Sequence, residues 1–83
     1  MQITFSNCSR AEEAIRCIED IKDRLKEAGV PPMLVTIHVY GRIINISIQY
    51  NNDCVKGSFD IDSLERWHER DFNNMLMAYN YVR

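Results

Sequence analysis

The sequence predicts an α+β fold, an antiparallel-rich four-stranded sheet with two helices on one face, in the order β-α-β-β-β-α. Three observations carry that expectation. Apolar residues recur at steps of three and four between Ala11 and Ala28. From Met33 to Tyr50 the step becomes two, in runs on either side of Gly41-Arg42. Helical spacing then returns between Leu64 and Val82. A period near 3.6 marks one apolar stripe on a helix, and a period of two marks one face of a strand.

The elements follow in order. Gln2 to Ser6 reads as a short strand with Ile3 and Phe5 on one face and Gln2, Thr4 and Ser6 on the other. A helix is expected near 10–28, opened by a capping box in which Ser9 accepts from first-turn amides and Glu12 answers three residues on. Its stripe is Ala11, Ala14, Ile15, Ile18, Ile21, Leu25 and Ala28. Glu12, Glu13, Arg16, Asp20, Asp23, Arg24 and Glu27 lie opposite. Gly29 is placed to end the helix in a left-handed conformation, and Pro31-Pro32 prevents its resumption.

Met33, Val35, Ile37 and Val39 share one strand face, and Ile44, Ile46, Ile48 and Tyr50 share another. A two-residue Gly41-Arg42 hairpin pairs Tyr40 with Ile43, Ile37 with Ile46 and Val35 with Ile48, so both alternations agree under one register. Asn51-Asn52-Asp53 reads as a turn. With a four-residue loop, Tyr50 pairs with Val55, Ile46 with Phe59 and Ile44 with Ile61. Gly57 falls on the inward face, where it lets a helix approach closely or marks a bulge.

The second helix is expected to start at Asp62 or Ser63, with Asp62 and Glu65 as a capping pair. Leu64, Trp67, Phe72, Met75, Ala78, Tyr79 and Val82 form its buried face, and Leu76 borders it. Met77 and Tyr81 point away. The sheet offers only one apolar surface, so both helices lie on it. Leu34, Thr36, His38, Tyr40, Ile43, Asn45, Ser47, Gln49, Lys56, Ser58 and Asp60 then face water, as an antiparallel sheet permits.

Composition sets further bounds. The chain has 83 residues and is read as one domain, 1–83, with 46% apolar and 27% charged residues, too apolar for disorder. Ten basic against twelve acidic residues give a net charge of −2, which lowers the expectation of general polyanion binding. No apolar run reaches the roughly 20 residues needed to cross a bilayer. Residues 1–6 lack the basic and apolar segments of a secretory signal. Cys8, Cys17 and Cys54 match no C-x-x-C pattern, and their odd number points to a reducing compartment, hence a cytoplasmic location.

Motifs for chemistry are sparse. No phosphate loop, nucleophile elbow, H-E-x-x-H or calcium loop occurs. His38, Asn45 and Asp60 fall in adjacent rows of the open face, where cross-strand hydrogen bonding is the better reading than an active site. His68 and Asp71 are three apart, too few ligands for a metal. No enzyme activity, metal or cofactor is expected. Contact is favoured by the carboxy-terminal helix, which carries apolar groups around nearly its whole circumference, and by the aromatic-punctuated sheet face.

Without its first strand, the order α-β-β-β-α resembles a double-stranded RNA-binding domain. That family grips phosphates with a basic start to its last helix, whereas Asp62-Ser63-Leu64-Glu65-Arg66 places carboxylates there. The passage Phe59-Asp60 followed by Leu64-Glu65-Arg66-Trp67 resembles small phage-encoded anti-CRISPR proteins. This resemblance implies an acidic, non-catalytic inhibitor that occludes a CRISPR-Cas-type complex in the host cytoplasm. Its acidic groups here are Asp20, Asp23 and Glu27, with Asp60, Asp62, Glu65 and Glu69 near the second helix. The expected function is a non-catalytic protein-binding module, with Tyr40, Asp60, Asp62, Glu65, Glu69, Met77 and Tyr81 as its contact residues. Nucleic-acid binding through a basic patch of Arg42, Lys56, Arg66 and Arg70, and a structural role in a homodimer or larger homo-oligomer, are the alternatives.

Overall fold

The computed structural model describes residues 1–62 and 69–83. Its elements are β1 (Gln2–Ser6), α1 (Ala11–Glu27), a 3₁₀ turn (Pro32–Leu34), β2 (Val35–Tyr40), β3 (Ile43–Tyr50), β4 (Asp53–Asp60) and α2 (Glu69–Val82). The sheet order is β1-β2-β3-β4. β1 runs parallel to β2, while β2-β3 and β3-β4 are antiparallel. The chain is thus a small α+β domain of the expected class and element order. Leu64, Glu65, Arg66, Trp67 and His68 lie outside the described residues, so the Asp62–Glu65 cap falls outside them too.

One apolar core joins the sheet to both helices. α1 contributes Ala14, Ile18, Ile21 and Leu25, spaced 4-3-4, and α2 contributes Phe72, Met75 and Tyr79. From the sheet come Val35, Ile37, Val39, Ile44, Ile46, Ile48, Val55 and Phe59, with Ile61 just beyond β4. Each such side chain, fully buried, contributes roughly 1.5–3 kcal/mol of transfer free energy. The Arg24 guanidinium of α1 lies 6.0 Å from the Phe72 ring centroid, which sets the two helices side by side. Arg24 is therefore half-buried instead of facing solvent.

The start of α1 differs from expectation. Arg10 occupies the cap position and no side chain caps the helix, so the Ser9–Glu12 box does not form. Arg10 instead sends its guanidinium to Glu13 and Asp62, and that tertiary pairing replaces the local cap. The other end matches expectation closely. The Gly29 N–H donates to Lys26 O and the Val30 N–H to Leu25 O, both at 3.0 Å, with Gly29 at φ +77°. That pair of bonds is a Schellman motif, and only glycine holds its left-handed residue without strain.

Met33 is expected on the inward face of a strand but is 86% exposed. The proline pair feeds a 3₁₀ turn, so strand geometry begins only at Val35, and Leu34, expected on the open face, packs partly buried against the core instead. The β2–β3 hairpin has the expected register throughout, Tyr40↔Ile43 to Val35↔Ile48. Gly41 takes φ +61° and Arg42 stays at negative φ, the pattern of a type II′ turn.

The β3–β4 pairing is tighter than expected. Tyr50 pairs with Asp53, Ile46 with Gly57 and Ile44 with Phe59, across a two-residue Asn51-Asn52 turn. Asn51 adopts φ +54°, which asparagine tolerates better than other side chains, and its carbonyl accepts from Gln49 Nε2 at 3.0 Å. The shift from the expected register is two residues, one full pleat period, so every residue keeps its assigned face. Gly57 does admit a helix: a Cβ built there would meet Met75 Sδ at 2.8 Å and the Phe59 ring at 3.1 Å.

Burial departs from the periodic pattern at the margins. Phe5 is 42% and Ile15 47% exposed although both belong to inward-facing sets. β1 is an edge strand, and α1 covers that edge incompletely. Ala11 and Ala78 are likewise exposed, because each stripe is wider than the surface its helix meets.

Candidate functional site

The open sheet face is organised in cross-strand rows. Thr4, His38, Asn45 and Ser58 are successive register partners across all four strands. Thr4 Oγ1 and His38 Nδ1 are hydrogen-bonded at 2.6 Å, and Ser58 Oγ donates to Asn45 Oδ1 at 2.8 Å. Asn45 Nδ2 donates to His38 O at 3.4 Å. The row satisfies its own hydrogen bonds. His38 and Asn45 thus share one row, and Asp60 sits in the adjacent row opposite Ile43, where it pairs with Arg42.

Asp60 and Asp62 belong instead to an ion-pair network at the end of the sheet. Arg42 Nε lies 3.0 Å from Asp60 Oδ2, and its Nη1 lies 3.6 Å from Asp62 Oδ2. Asp62 also pairs with Arg10, which holds Glu13 through both of its carboxylate oxygens. Asp60 Oδ1 accepts from the Asp62 N–H at 2.9 Å. The run Glu13–Arg10–Asp62–Arg42–Asp60 ties the start of α1 to the β2–β3 hairpin and to the exit from β4. Hydrogen bonds from Arg10 hold the Glu13 and Asp62 carboxyls below their ordinary ranges, and the same bonds raise the pKa of Arg10.

Acid titration is expected to reveal this network. A carboxylate whose folded pKa is depressed contributes stability that is complete above its unfolded value and is lost as pH falls through the folded one. The unfolded values are near 4.5 for Glu13 and 3.8 for Asp62. Between about pH 5 and pH 2, urea unfolding should show stability falling more steeply for the native protein than for Arg10→Met, with the curves converging at the acid end. Parallel curves would mean that the pairs contribute nothing to folding.

The remaining expected contact residues fall into separate places. Tyr40 is 57% exposed at the end of β2, in the row that holds Asp60. Met77 is 67% and Tyr81 91% exposed, four residues apart on one side of α2. That helix end packs near the opposite end of β4: Tyr79 stacks edge-on against Tyr50 at 6.1 Å, and Tyr50 pairs with Asp53. β4 spans roughly 23 Å at about 3.3 Å per residue, so the Tyr40–Asp60–Asp62 group and the Met77–Tyr81 group do not form one surface. Glu65 lies outside the described residues, and Glu69 is described only as the first residue of α2. Asp71 is exposed; its expected partner His68 lies outside the described residues.

Arg10 carries no signal of this network in the sequence pattern, and Arg42, expected in a basic patch, is instead engaged by Asp60 and Asp62. The Arg10–Glu13 spacing of three was legible on a helix, but the links to Asp62 depend on tertiary packing. A cleft of about 350 Å³ beside this network is lined by Arg10, Glu13, Arg16, Cys17, Asp20 and Asp62, with Ile61. Burial pushes the Cys17 thiol up, away from the thiolate that nucleophilic chemistry needs. Among the described residues, no group of three or more His, Cys, Asp or Glu is arranged to hold a metal ion. No described helix is long and apolar enough to cross a membrane.

Compared with protein-family models, curated proteins and solved structures, the chain gives no significant match. The arrangement of the residues themselves is therefore the basis for function. It is that of a small α+β domain compatible with contact to a protein or a nucleic acid.

Proposed function

We propose that the chain is a non-catalytic binding module whose protein partner docks on the outer side of α2. One observation carries this reading. The inner side of α2 already satisfies the sheet with Phe72, Met75 and Tyr79, yet Met77 and Tyr81 stand out on the other side, with Ala78 beside them. Methionine adapts its shape to a partner, and tyrosine combines ring area with a polar end, which suits both to interfaces.

The test is a photo-crosslinking residue in place of Tyr81 in cells. A protease-sensitive adduct of discrete mass is expected, absent when the same residue replaces Lys56 on the sheet. The double variant Met77→Asp/Tyr81→Ala should melt within the few tenths of a kcal/mol typical of surface changes while losing about tenfold or more in partner affinity. Unchanged affinity would overturn the reading.

Nucleic-acid binding is the second reading, favoured by the match of α1-β2-β3-β4-α2 to the order of double-stranded RNA-binding domains. Of its expected cations, Arg42, Lys56 and Arg70 are exposed, Arg42 being paired with Asp60 and Asp62, and Arg66 lies outside the described residues. It calls for salt-sensitive binding to a duplex of about 16 base pairs, and a nuclease-sensitive adduct at position 56 would support it. The narrowest form of the protein reading, an inhibitor of a CRISPR-Cas-type complex, rests on sequence resemblance alone. Asp60 and Asp62 lend it little, since Arg42 and Arg10 balance their charge.

A further inference from the structure

The two edges of the sheet are treated differently. β4 carries Asp53, Lys56 and Asp60, and its inward face closes on α2 at Gly57. Charges on an edge strand discourage pairing with another sheet. β1 is the other edge and reads Gln-Ile-Thr-Phe-Ser, with no charge and no proline. One side of its backbone is bonded to β2, and among the described residues no strand pairs with the other. Met1, Phe5 and Ile15 are exposed around this edge at 37%, 42% and 47%.

We propose that a second copy of this chain pairs with β1 in antiparallel fashion about a two-fold axis through Thr4, joining two sheets into one of eight strands. The register is self-complementary. With Thr4 opposite its own copy, Ile3 faces Phe5 and Gln2 faces Ser6, so the apolar residues meet on the helix side and the polar ones on the open side. The closed symmetry limits growth to a dimer.

The flank of α1 beside this edge fits the same axis. Met1 shares a cleft of about 630 Å³ with Glu19, Lys22, Asp23 and Lys26. Helical spacing aligns Glu12, Ile15, Glu19, Lys22 and Lys26 along that flank, acidic in the first half and basic in the second, with Asp23 the one exception. A two-fold sets the acidic half of one helix toward the basic half of the other. The inference is independent of the α2 reading, which uses the opposite helix.

Sedimentation equilibrium across a concentration series tests it. Dimer mass is expected for the native chain, and Phe5→Lys should weaken dimerisation about tenfold or more with its circular dichroism spectrum retained. Two charge variants give a readout that does not depend on Phe5. Lys22→Glu/Lys26→Glu and Glu12→Lys/Glu19→Lys should each self-associate less than the native chain, and mixing them should restore dimer mass. A native chain that stays monomeric at every concentration would overturn the proposal. So would a dimer that withstands these changes but dissociates with Met77→Asp.

Discussion

Phe72→Ala is expected to remove about 3–5 kcal/mol of stability, the usual cost of deleting a buried aromatic ring. Phe72 is 1% exposed and its ring lies 6.0 Å from that of Phe59, so it fills the angle between α2 and β4. It also supports the Arg24 guanidinium that bridges the two helices. A domain of this length holds roughly 4–12 kcal/mol in all, so the variant should lose a large share of its stability. Urea unfolding followed by circular dichroism measures this. A loss below about 1 kcal/mol would show that α2 does not rely on the ring to hold the sheet.

Gly57→Val should cost about 1–3 kcal/mol, the range for overpacking a filled core. The gain in strand propensity from valine, at most about 1 kcal/mol, works in the other direction. The steric term wins because the first added carbon already meets Met75 Sδ at 2.8 Å and the Phe59 ring at 3.1 Å. The double variant Gly57→Val/Met75→Ala provides a check. Because one change fills the space the other vacates, the pair should cost less than the sum of the singles by roughly 0.5–3 kcal/mol. Strict additivity would mean that Met75 does not rest against Gly57.

Much of the fold was legible because pleat and helical periods are local signals. Ile37, Ile46, Ile18 and Leu25 each take the burial their spacing implies, and Gly41 and Gly29 end their elements as glycine allows. The β3–β4 register was not legible to the residue, since a loop of two or four preserves the same faces; Asn51 at positive φ selects the shorter one. The Ser9–Glu12 cap misled for a different reason. Its sequence signature is sound, but Arg10 finds a carboxylate 52 positions away that no local pattern contains. The exposed sides of α2 were readable from Met77 and Tyr81. The charge balance of Asp60 and Asp62 was not, because it is made by the hairpin arginine, which the alternation treats as a spacer.

The parallel placement of β1 also governs the order in which the molecule assembles. β2, β3 and β4 meet through two-residue turns, so their ladders close with little chain entropy lost. β1 reaches β2 only after the chain has looped through α1, with Thr4 meeting His38 across 34 positions. Contacts so distant along the chain form late and slow the approach to the native state. The three-stranded meander is thus expected to form first, with β1 seated on it last.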